Sequence, residues 1–419
     1  MSSIKTVRRF RLSSKISKSG LIYFLLSVIC IRPDYLLQFS TIYRLYSIGS
    51  LVALFYVCTQ LPLSKDKLPS SMMALVFLGV WTLLSTLLNG SSIKSWWDAV
   101  EVPIVSAVVC YYGMRTKPDR FIHSIECLLL LYLFINFLTI LLFPTGMDAG
   151  VNQYVNGQEM TFFLGQKNVI VKFSLLAEFC VILESYFFNA RCRFLERVVS
   201  IIVFGVGIYT NSGITIVASL IPLVFTFIQF NKVPGLINAL SGAVLNATFF
   251  ILIVIFRKQE LFSFFIEGIL GKNLTFTSRT RLWDKGLILA SQHIILGNGI
   301  ENKAVIAAKA GFNNDSFHNF IVDYLYQGGI VLIVLWCIFL ILLFFDIKKC
   351  SNVAIVGIGN VFSFAYLIVA ISEPFTRSRV TAFIIFAVII TMVSTRFFED
   401  VQPWNEGMDN YKDYISPAV

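Results

Sequence analysis

The sequence predicts an all-α polytopic membrane protein with about 12 transmembrane helices and a large extracytoplasmic loop, itself containing helices, between the ninth and tenth of them. Three observations predict this fold class. Of the 419 residues, 57% are hydrophobic and 14% are charged, and the mean hydropathy is +0.76, which is unlike a soluble domain. Apolar runs of membrane-spanning length recur along the chain, and basic residues gather in alternate connections between them.

The apolar runs are interpreted as transmembrane helices because about 20 helical residues cross a bilayer core about 30 Å thick. In chain order the predicted spans are residues 20–31, 43–61, 72–88, 98–113, 121–143, 169–188, 198–209, 213–230, 236–256, 321–345, 353–371 and 380–393. The first and seventh runs are the shortest. The whole chain, residues 1–419, is predicted to form one integral membrane domain that ends in a cytoplasmic tail, residues 397–419.

The distribution of basic residues predicts which end of the helix bundle faces the cytoplasm. The segment before the first span is basic, and so are the connections at residues 62–71, 114–120, 189–197, 231–235 and 346–352. The positive-inside rule then places both termini in the cytoplasm. The same rule explains the excess of 34 basic over 24 acidic residues, a net charge of +10, so no nucleic-acid partner is expected.

Three predicted outer segments break this charge rule: residues 145–168, 257–319 and 372–379. Long loops are translocated largely regardless of charge, which accounts for most of their lysines. Arginine differs, because its planar fork of donors matches a phosphate group and keeps its charge at any working pH. Arg279 and Arg281 in the largest loop therefore predict an anionic ligand at the outer membrane surface.

The loop 257–319 is expected to contain a helix and to carry the active site. Ser278 is suited to cap a helix over residues 279–295, and Gly297 and Gly299 can end it because glycine accepts positive φ.

One face of this helix is predicted to be shared by Arg279, Trp283 and Gly286, from the 3.6-residue period. Two interpretations of Trp283 stay open, since a tryptophan here could lie at the lipid headgroups or could stack on a sugar.

The start of the tenth span carries the only histidine of the chain for which chemistry is expected. His318 and Asn319 are predicted in its first turn, after the capping residues Asn314, Asp315 and Ser316. The positive end of a helix favours the neutral form of an imidazole, which can accept a proton. His123 and His293 are interpreted as structural.

Other reactive groups indicate neither a metal site nor a disulfide framework. The eight cysteines contain no CxxC pair, and none lies in the large outer loop. Lys172 and Glu178 fall within the sixth span, where an ionised group is costly in lipid, so each is expected to face protein or water. Lys172 is therefore a residue adjacent to the predicted site.

The motifs "TSRTRLW…ILGNG" and "FHNFIVDYLYQGGIVLIVLW", about twenty residues apart in one outer loop, resemble the signature of the O-antigen ligase and Wzy-type O-antigen or capsule polymerase family. The resemblance covers about residues 160–345. "FFLGQKNVI" is similar to the Gly-x-x-Asn element of the family through Gly165 and Asn168. "YTNSGITIVA" is similar to its Ser-Arg-Gly element, but the residues around Ser212 include no arginine. Arg279 matches the arginine of the family, and Arg281 is an addition.

The resemblance implies a metal-independent glycosyltransferase, without a cofactor, on the outer face of the bacterial cytoplasmic (inner) membrane. Its donor would be an oligosaccharide on undecaprenyl diphosphate, gripped by an arginine at the position of Arg279, while a histidine at the position of His318 assists the acceptor hydroxyl. Candidates for positioning or glycan contact are Trp283, Asn168, Asn319, Gly297 and Gly299. Candidates to replace the arginine absent near Ser212 are Lys167, Lys272 and Arg281.

Polymerase, ligase and transporter stay open as functions, with polymerase favoured. A polymerase and a ligase share donor and chemistry and differ in the acceptor, which no residue names. A transporter commonly has two related halves joined by a long cytoplasmic loop, whereas the central loop here is short. A flippase and a chain-length regulator are the expected protein partners of a polymerase.

Overall fold

The structure, a computed structural model, describes residues 18–61, 67–147, 161–187, 193–264, 268, 279–312 and 316–399. It is built almost entirely of α-helices. In chain order these are α1 (Lys18–Cys30), α2 (Ser40–Gln60), α3 (Ser70–Leu88), α4 (Ile93–Thr116), α5 (Pro118–Leu142), α6 (Ile170–Phe187), α7 (Arg193–Tyr209), α8 (Gly213–Ile228), α9 (Ala239–Phe249), α10 (Arg279–Ser291), α11 (Lys303–Ala310), α12 (Phe320–Lys348), α13 (Val353–Ser372) and α14 (Thr381–Glu399). A π-helical segment, Phe250–Ile255, continues α9, and strands β1 (Thr161–Phe162) and β2 (Gly165–Gln166) form an antiparallel hairpin.

The helices confirm an all-α membrane protein. Among the described residues, six segments are long and apolar enough to cross a bilayer: α2, α3, α5, α12, α13 and the segment Arg377–Thr395 that contains most of α14. α1, α8 and α9 are apolar but shorter. The number of crossings stays a prediction, because helix length alone does not decide it.

Burial separates the centre of the bundle from its periphery. α13 and α14 are mostly buried, and beneath the outer turn that joins them Trp336, Tyr366, Phe375 and Phe383 pack as an aromatic cluster. α2 instead presents large apolar side chains outward, among them Phe55. Such an exposed apolar surface is expected where lipid covers the protein.

α12 is interrupted one-third of the way along, and the interruption receives the loop that follows α10. Gly329 has φ 66° and ψ −163°, so the helix cannot continue through it. The amide of Ile330 is thereby free to donate to the carbonyl of Ile294 at 2.9 Å, and the amide of Gly299 donates to the carbonyl of Gln327 at 3.0 Å. The loop main chain thus satisfies polar groups that the break exposes.

This packing explains why the loop helix is shorter than predicted. α10 ends at Ser291 rather than at residue 295, and turns lead from it to Gly297. A Cβ added to Gly297 would lie 2.4 Å from the amide nitrogen of Gly328, so the chain must leave the helix to reach this close contact. Gly297 does adopt the predicted positive φ, at 77°, but the helix ends earlier than predicted.

The structure buries one side of α10, and two of the three residues predicted to share a face lie on it. Trp283 and Gly286 are buried, and a Cβ added to Gly286 would lie 2.4 Å from the side chain of Val322 in α12. Trp283 packs edge-on against Phe249 with ring centroids 6.2 Å apart. α10 is therefore fixed against α12 and α9 by a small apolar core of its own.

Candidate active site

The carboxylate of Glu373 joins two of the three predicted outer segments. Glu373 directly follows α13 and its side chain is only 5% exposed. The guanidinium of Arg279, at the first position of α10, donates to Glu373 Oε1 at 2.9 Å and also to the carbonyl of Ser372. Two donors of one arginine thus bind two acceptors on the same turn, which holds α10 against the end of α13.

The third outer segment reaches the same carboxylate through Asn168. Its amide Nδ2 donates to Glu373 Oε1 at 3.1 Å, and its Oδ1 accepts from the hydroxyl of Ser212 at 2.8 Å. Ser212 also caps α8. A continuous set of hydrogen bonds therefore runs from Arg279 through Glu373 and Asn168 to Ser212, and it links α10, α13, α6 and α8.

His318 lies beside this network, although its position differs from the prediction. α12 begins at Phe320, and Asn319 is its cap: Oδ1 accepts from the amides of Ile321 at 3.1 Å and Val322 at 3.2 Å. His318 therefore precedes the helix instead of lying in its first turn. Asn319 also donates to the carbonyl of Ile371 at 3.0 Å, which fastens the start of α12 to the end of α13.

The backbone at His318 is in the left-handed region, with φ 53°. Asn211 and Arg377, which lie in turns predicted to be on the outer side, have φ of 49° and 56°. A side chain in this region costs conformational energy, and such residues cluster where structure is fixed for function. The conformation at His318 is the physical reason why it stands outside α12.

Lys172 supplies a second buried cation. Its ammonium donates to the carbonyl of Pro374 at 2.9 Å, directly after Glu373. The expectation that this intramembrane lysine faces protein is confirmed, and Glu178 likewise accepts from the hydroxyl of Ser200.

The ionisation of Glu373 depends on these neighbours. Burial opposes its negative charge, but the charges of Arg279, His318 and Lys172, together with the hydrogen bond from Arg279, outweigh burial and lower the pKa of the carboxyl below its usual range. The carboxylate is therefore charged at neutral pH.

A small cavity adjoins Lys172. Its volume is about 50 Å³, and apolar residues of α4, α6 and α14 form part of its wall. Arg32, Asp34, Lys172 and Arg379 also line it. Arg32 forms a buried ion pair with Glu101 at 2.9 Å. The other two cations of this cavity, Lys172 and Arg379, are closer in sequence to residues of the candidate site.

Several predicted site residues lie apart from the network. Arg281 is exposed on another face of α10 from Trp283, and Lys167 is half-buried beside Asn168. Trp283 is fully buried and therefore offers no ring face for a sugar in this structure, which leaves it a positioning role. Lys272, with Ser278, Asn314 and Asp315, lies outside the described residues.

Gly297 and Gly299 pack the loop rather than face the network. The carbonyl of Gly297 accepts from Asn89 of α3 at 2.9 Å, and a Cβ on Gly299 would lie 2.7 Å from Thr86 of the same helix. Their part in the candidate site is therefore indirect, since they anchor the end of the segment that begins with Arg279.

Glu373 is the residue that sequence reasoning missed. The sequence predicts the segment 372–379 as an outer segment that breaks the charge rule, but none of its residues is a predicted site residue. The sequence does contain a sign that Glu373 matters, because it is the only acidic residue in that segment and lies between two long apolar runs. A carboxylate there needs a cationic partner, and Arg279 is one.

Part of the chain matches a family of known proteins. Residues 198–337 match a family described as O-antigen ligase, a region that contains Ser212, Arg279 and His318. Comparison with curated proteins gave no match. The fold and the matched region together indicate a multi-pass bacterial membrane protein of O-antigen ligase or polymerase-like function. The resemblance to the O-antigen ligase and Wzy-type family is thus confirmed, and proteins of this family are glycosyltransferase-like enzymes acting on lipid-linked glycans.

Proposed function

We propose that this protein is a membrane glycosyltransferase that polymerises undecaprenyl-diphosphate-linked oligosaccharide repeat units of a capsule, exopolysaccharide or O-antigen. The observation that carries the proposal is the convergence of Arg279, His318 and Asn168 around Glu373, within and beside the matched region. These residues come from segments far apart in the sequence, and only the fold brings them together.

The N-terminus of α10 is the expected diphosphate site. Arg279 is 18% exposed, so part of its guanidinium is accessible to a ligand while Glu373 and Ser372 fix its orientation. The first amides of α10 add the positive end of a helix of 13 residues. Lys167, Lys272 and Arg281 stay our candidates for the cation that replaces the arginine absent near Ser212, whereas the buried Lys172 adds positive charge near Glu373 without contacting the ligand.

The chemistry is a single displacement at the anomeric carbon of the donor glycan. The acceptor hydroxyl oxygen forms a bond to that carbon as the bond from the carbon to the phosphate oxygen breaks, and undecaprenyl diphosphate leaves with the electron pair. His318 accepts the hydroxyl proton and later releases it to water. Diphosphate is a good leaving group, so positioning, charge stabilisation and one base are sufficient, and no metal ion is required by this scheme.

The membrane arrangement follows the charge pattern. Twelve crossings, with both termini cytoplasmic, place the network at the outer face of the cytoplasmic membrane. There a donor delivered by a flippase would be accessible, and a chain-length regulator could act on the growing polymer.

Two alternative functions make different predictions. A ligase would transfer the glycan to another acceptor with the same residues, and the family description favours keeping this alternative. A flippase would move the lipid-linked unit without breaking the bond to phosphate.

Gene deletion followed by localisation of the lipid-linked repeat units tests the proposal. We expect single units to accumulate on the outer face, because they are delivered but not joined. Accumulation on the inner face would overturn the proposal in favour of a flippase. Accumulation of finished polymer on undecaprenyl diphosphate would instead indicate a ligase.

A further inference from the structure

A cluster of one histidine and two glutamates joins α5 to α6 at the end of these helices away from Glu373. His123 and Glu126 lie in the first turns of α5, and Glu184 lies in the last turn of α6. Lys172 and Glu184 are twelve residues apart on α6, which corresponds to about 18 Å along a helix. The cluster is therefore separate from the candidate active site.

The spacing of the three side chains suits a metal ion. His123 Nδ1 is 3.0 Å from Glu184 Oε1 and 3.8 Å from Glu126 Oε2, and one atom from each residue lies within 4.8 Å of the others. Ligand atoms bound tetrahedrally at about 2.0–2.1 Å stand about 3.3 Å apart. The observed distances bracket this value, so an ion requires only small shifts of the side chains.

Among the described residues, the two glutamates have little compensation for their charge. The side chain of Glu126 is only 9% exposed, and the second carboxylate oxygen of Glu184 is buried with no hydrogen-bond partner among the described residues. Two carboxylates against one imidazole leave a net negative charge even when the imidazole is protonated. A buried unsatisfied oxygen within a cluster of ligand atoms is a feature that a bound ion would explain.

Cys127 provides the outer contact that metal-bound histidines usually have. Its sulfur lies 3.5 Å from His123 Nε2, one helical turn along α5. When Nδ1 binds a metal, Nε2 carries the proton and donates it to such an acceptor, which fixes the orientation of the ring. The cysteine spacing in the sequence gave no sign of this site, because the sulfur is an outer contact and the ligands are a histidine and carboxylates.

We infer that His123, Glu126 and Glu184 form a divalent-cation site with an open coordination position, whose imidazole and carboxylate ligands suit Zn²⁺. Three protein ligands plus water are a known zinc arrangement, and hard ions such as Mg²⁺ prefer oxygen ligands alone. The side chain of His123 is 60% exposed, so an ion can enter from solvent. The ion would cross-link α5 and α6, and it takes no part in the proposed glycosyl transfer.

Zinc binding by the purified full-length protein tests this inference. The protein is prepared in detergent through an affinity tag without histidine, stripped with a chelator, and dialysed against ZnCl₂, with bound metal measured by mass spectrometry. We expect one Zn²⁺ per chain, a higher unfolding temperature with Zn²⁺, and little effect of Mg²⁺.

Matched variants separate this site from adventitious binding. His123→Ala and Glu184→Gln should each weaken Zn²⁺ binding more than 100-fold, and Cys127→Ala, which removes the acceptor for Nε2, should weaken it about 10-fold to 100-fold, as loss of an outer contact does. His293→Ala, which removes an exposed histidine elsewhere, should change nothing. Each variant is compared at equal gel-filtration and circular-dichroism quality.

Absence of bound zinc from folded wild-type protein would overturn the inference, and the cluster would then be an imidazolium paired with two carboxylates. Equal zinc binding by wild type, His123→Ala and Glu184→Gln would overturn it as well. Neither result bears on glycosyl transfer, because the variants lie at the other end of the helices.

Discussion

Arg279, Glu373 and His318 have different roles in the proposed glycosyl transfer. Arg279 is oriented by hydrogen bonds to the protein yet keeps part of its surface accessible, as an anion-binding residue must. The side chain of Glu373 is only 5% exposed, so it acts through the residues that it positions. His318 is the one group among them that can accept a proton near neutral pH.

Arg279→Lys should lose most activity while the protein stays abundant in the membrane. Lysine keeps the charge but loses the planar fork, and both the contacts to Glu373 and Ser372 and a bidentate hold on diphosphate depend on that fork. Polymer measured on gels from a deletion strain carrying each variant is the readout. Lys309→Ala, which removes an exposed ammonium that pairs with the mostly buried Glu301, is the matched control and should make normal polymer.

Glu373→Gln should lower both activity and stability. It keeps the size of the side chain but removes the charge that Arg279 binds, at a cost of about 1.5–3 kcal/mol, the usual range for a hydrogen bond to a charged group. Because the pKa of Glu373 is lowered in the folded protein, its contribution is present above the ordinary glutamate range and is lost as pH falls through the lowered pKa.

The difference in unfolding temperature between wild type and Glu373→Gln should therefore shrink as the pH falls below about 4.5. Glu260→Gln, at an exposed glutamate, is the control and should match wild type throughout. A difference that grew as the pH fell below about 4.5 would contradict the assigned direction of the shift.

His318→Asn distinguishes a base from a backbone residue. Asparagine tolerates the left-handed conformation at φ 53°, so the fold should be kept, whereas a general base contributes about 10²-fold to 10⁴-fold in rate. We expect His318→Asn and His318→Ala to make almost no polymer. In an assay limited by chemistry, activity should also fall between about pH 7.5 and 5, a range in which Glu373 stays charged. A normal rate from His318→Asn would leave the arginine and substrate positioning to carry the reaction.

At the scale of helices and loops, the break in α12 holds the loop that carries Arg279. Gly329→Ala should be strongly destabilising, because φ is 66° and the new Cβ would lie 2.2 Å from the carbonyl oxygen of Ile295. Gly311→Ala is the matched control, since its φ is 75° but nothing lies within 4 Å of the new Cβ. We expect Gly311→Ala to cost only about 1 kcal/mol of backbone strain. Equal unfolding temperatures for the two variants would show that the contact with the loop does not matter.

How far the sequence predicts these elements depends on whether a feature is local. The apolar runs, and the face of α10 that Trp283 and Gly286 share, follow from periodicity, and both agree with the structure. The end of α10 and the position of His318 do not follow, because they are set by close packing against α12 and by a left-handed backbone. The pairing of Arg279 with Glu373 spans 94 positions of the chain and leaves no local pattern.

At the scale of the whole molecule, three loops that break the charge rule meet at one end of the helix bundle. This convergence is the expected consequence of alternate connections lying on the same side of a membrane. It agrees with the predicted orientation, which stays a prediction.

Cysteine labelling tests the orientation. In a background from which the eight native cysteines have been removed, a cysteine at the exposed position Ser291 should react with a membrane-impermeant thiol reagent in intact cells or spheroplasts. A cysteine at the exposed position Ser351 should react only after the membrane is opened. The reverse pattern would move the candidate site to the cytoplasmic face and remove the proposed substrate.

Reconstituted protein with purified undecaprenyl-diphosphate-linked repeat units gives the most direct test of the proposed glycosyl transfer. The measurement is the appearance of longer lipid-linked glycans together with the release of undecaprenyl diphosphate. We expect wild type and Lys309→Ala to give one released diphosphate lipid for each bond formed, and Arg279→Lys and His318→Asn to give almost none. Movement of the repeat unit across the bilayer with no release of undecaprenyl diphosphate would contradict the assignment and identify a transporter.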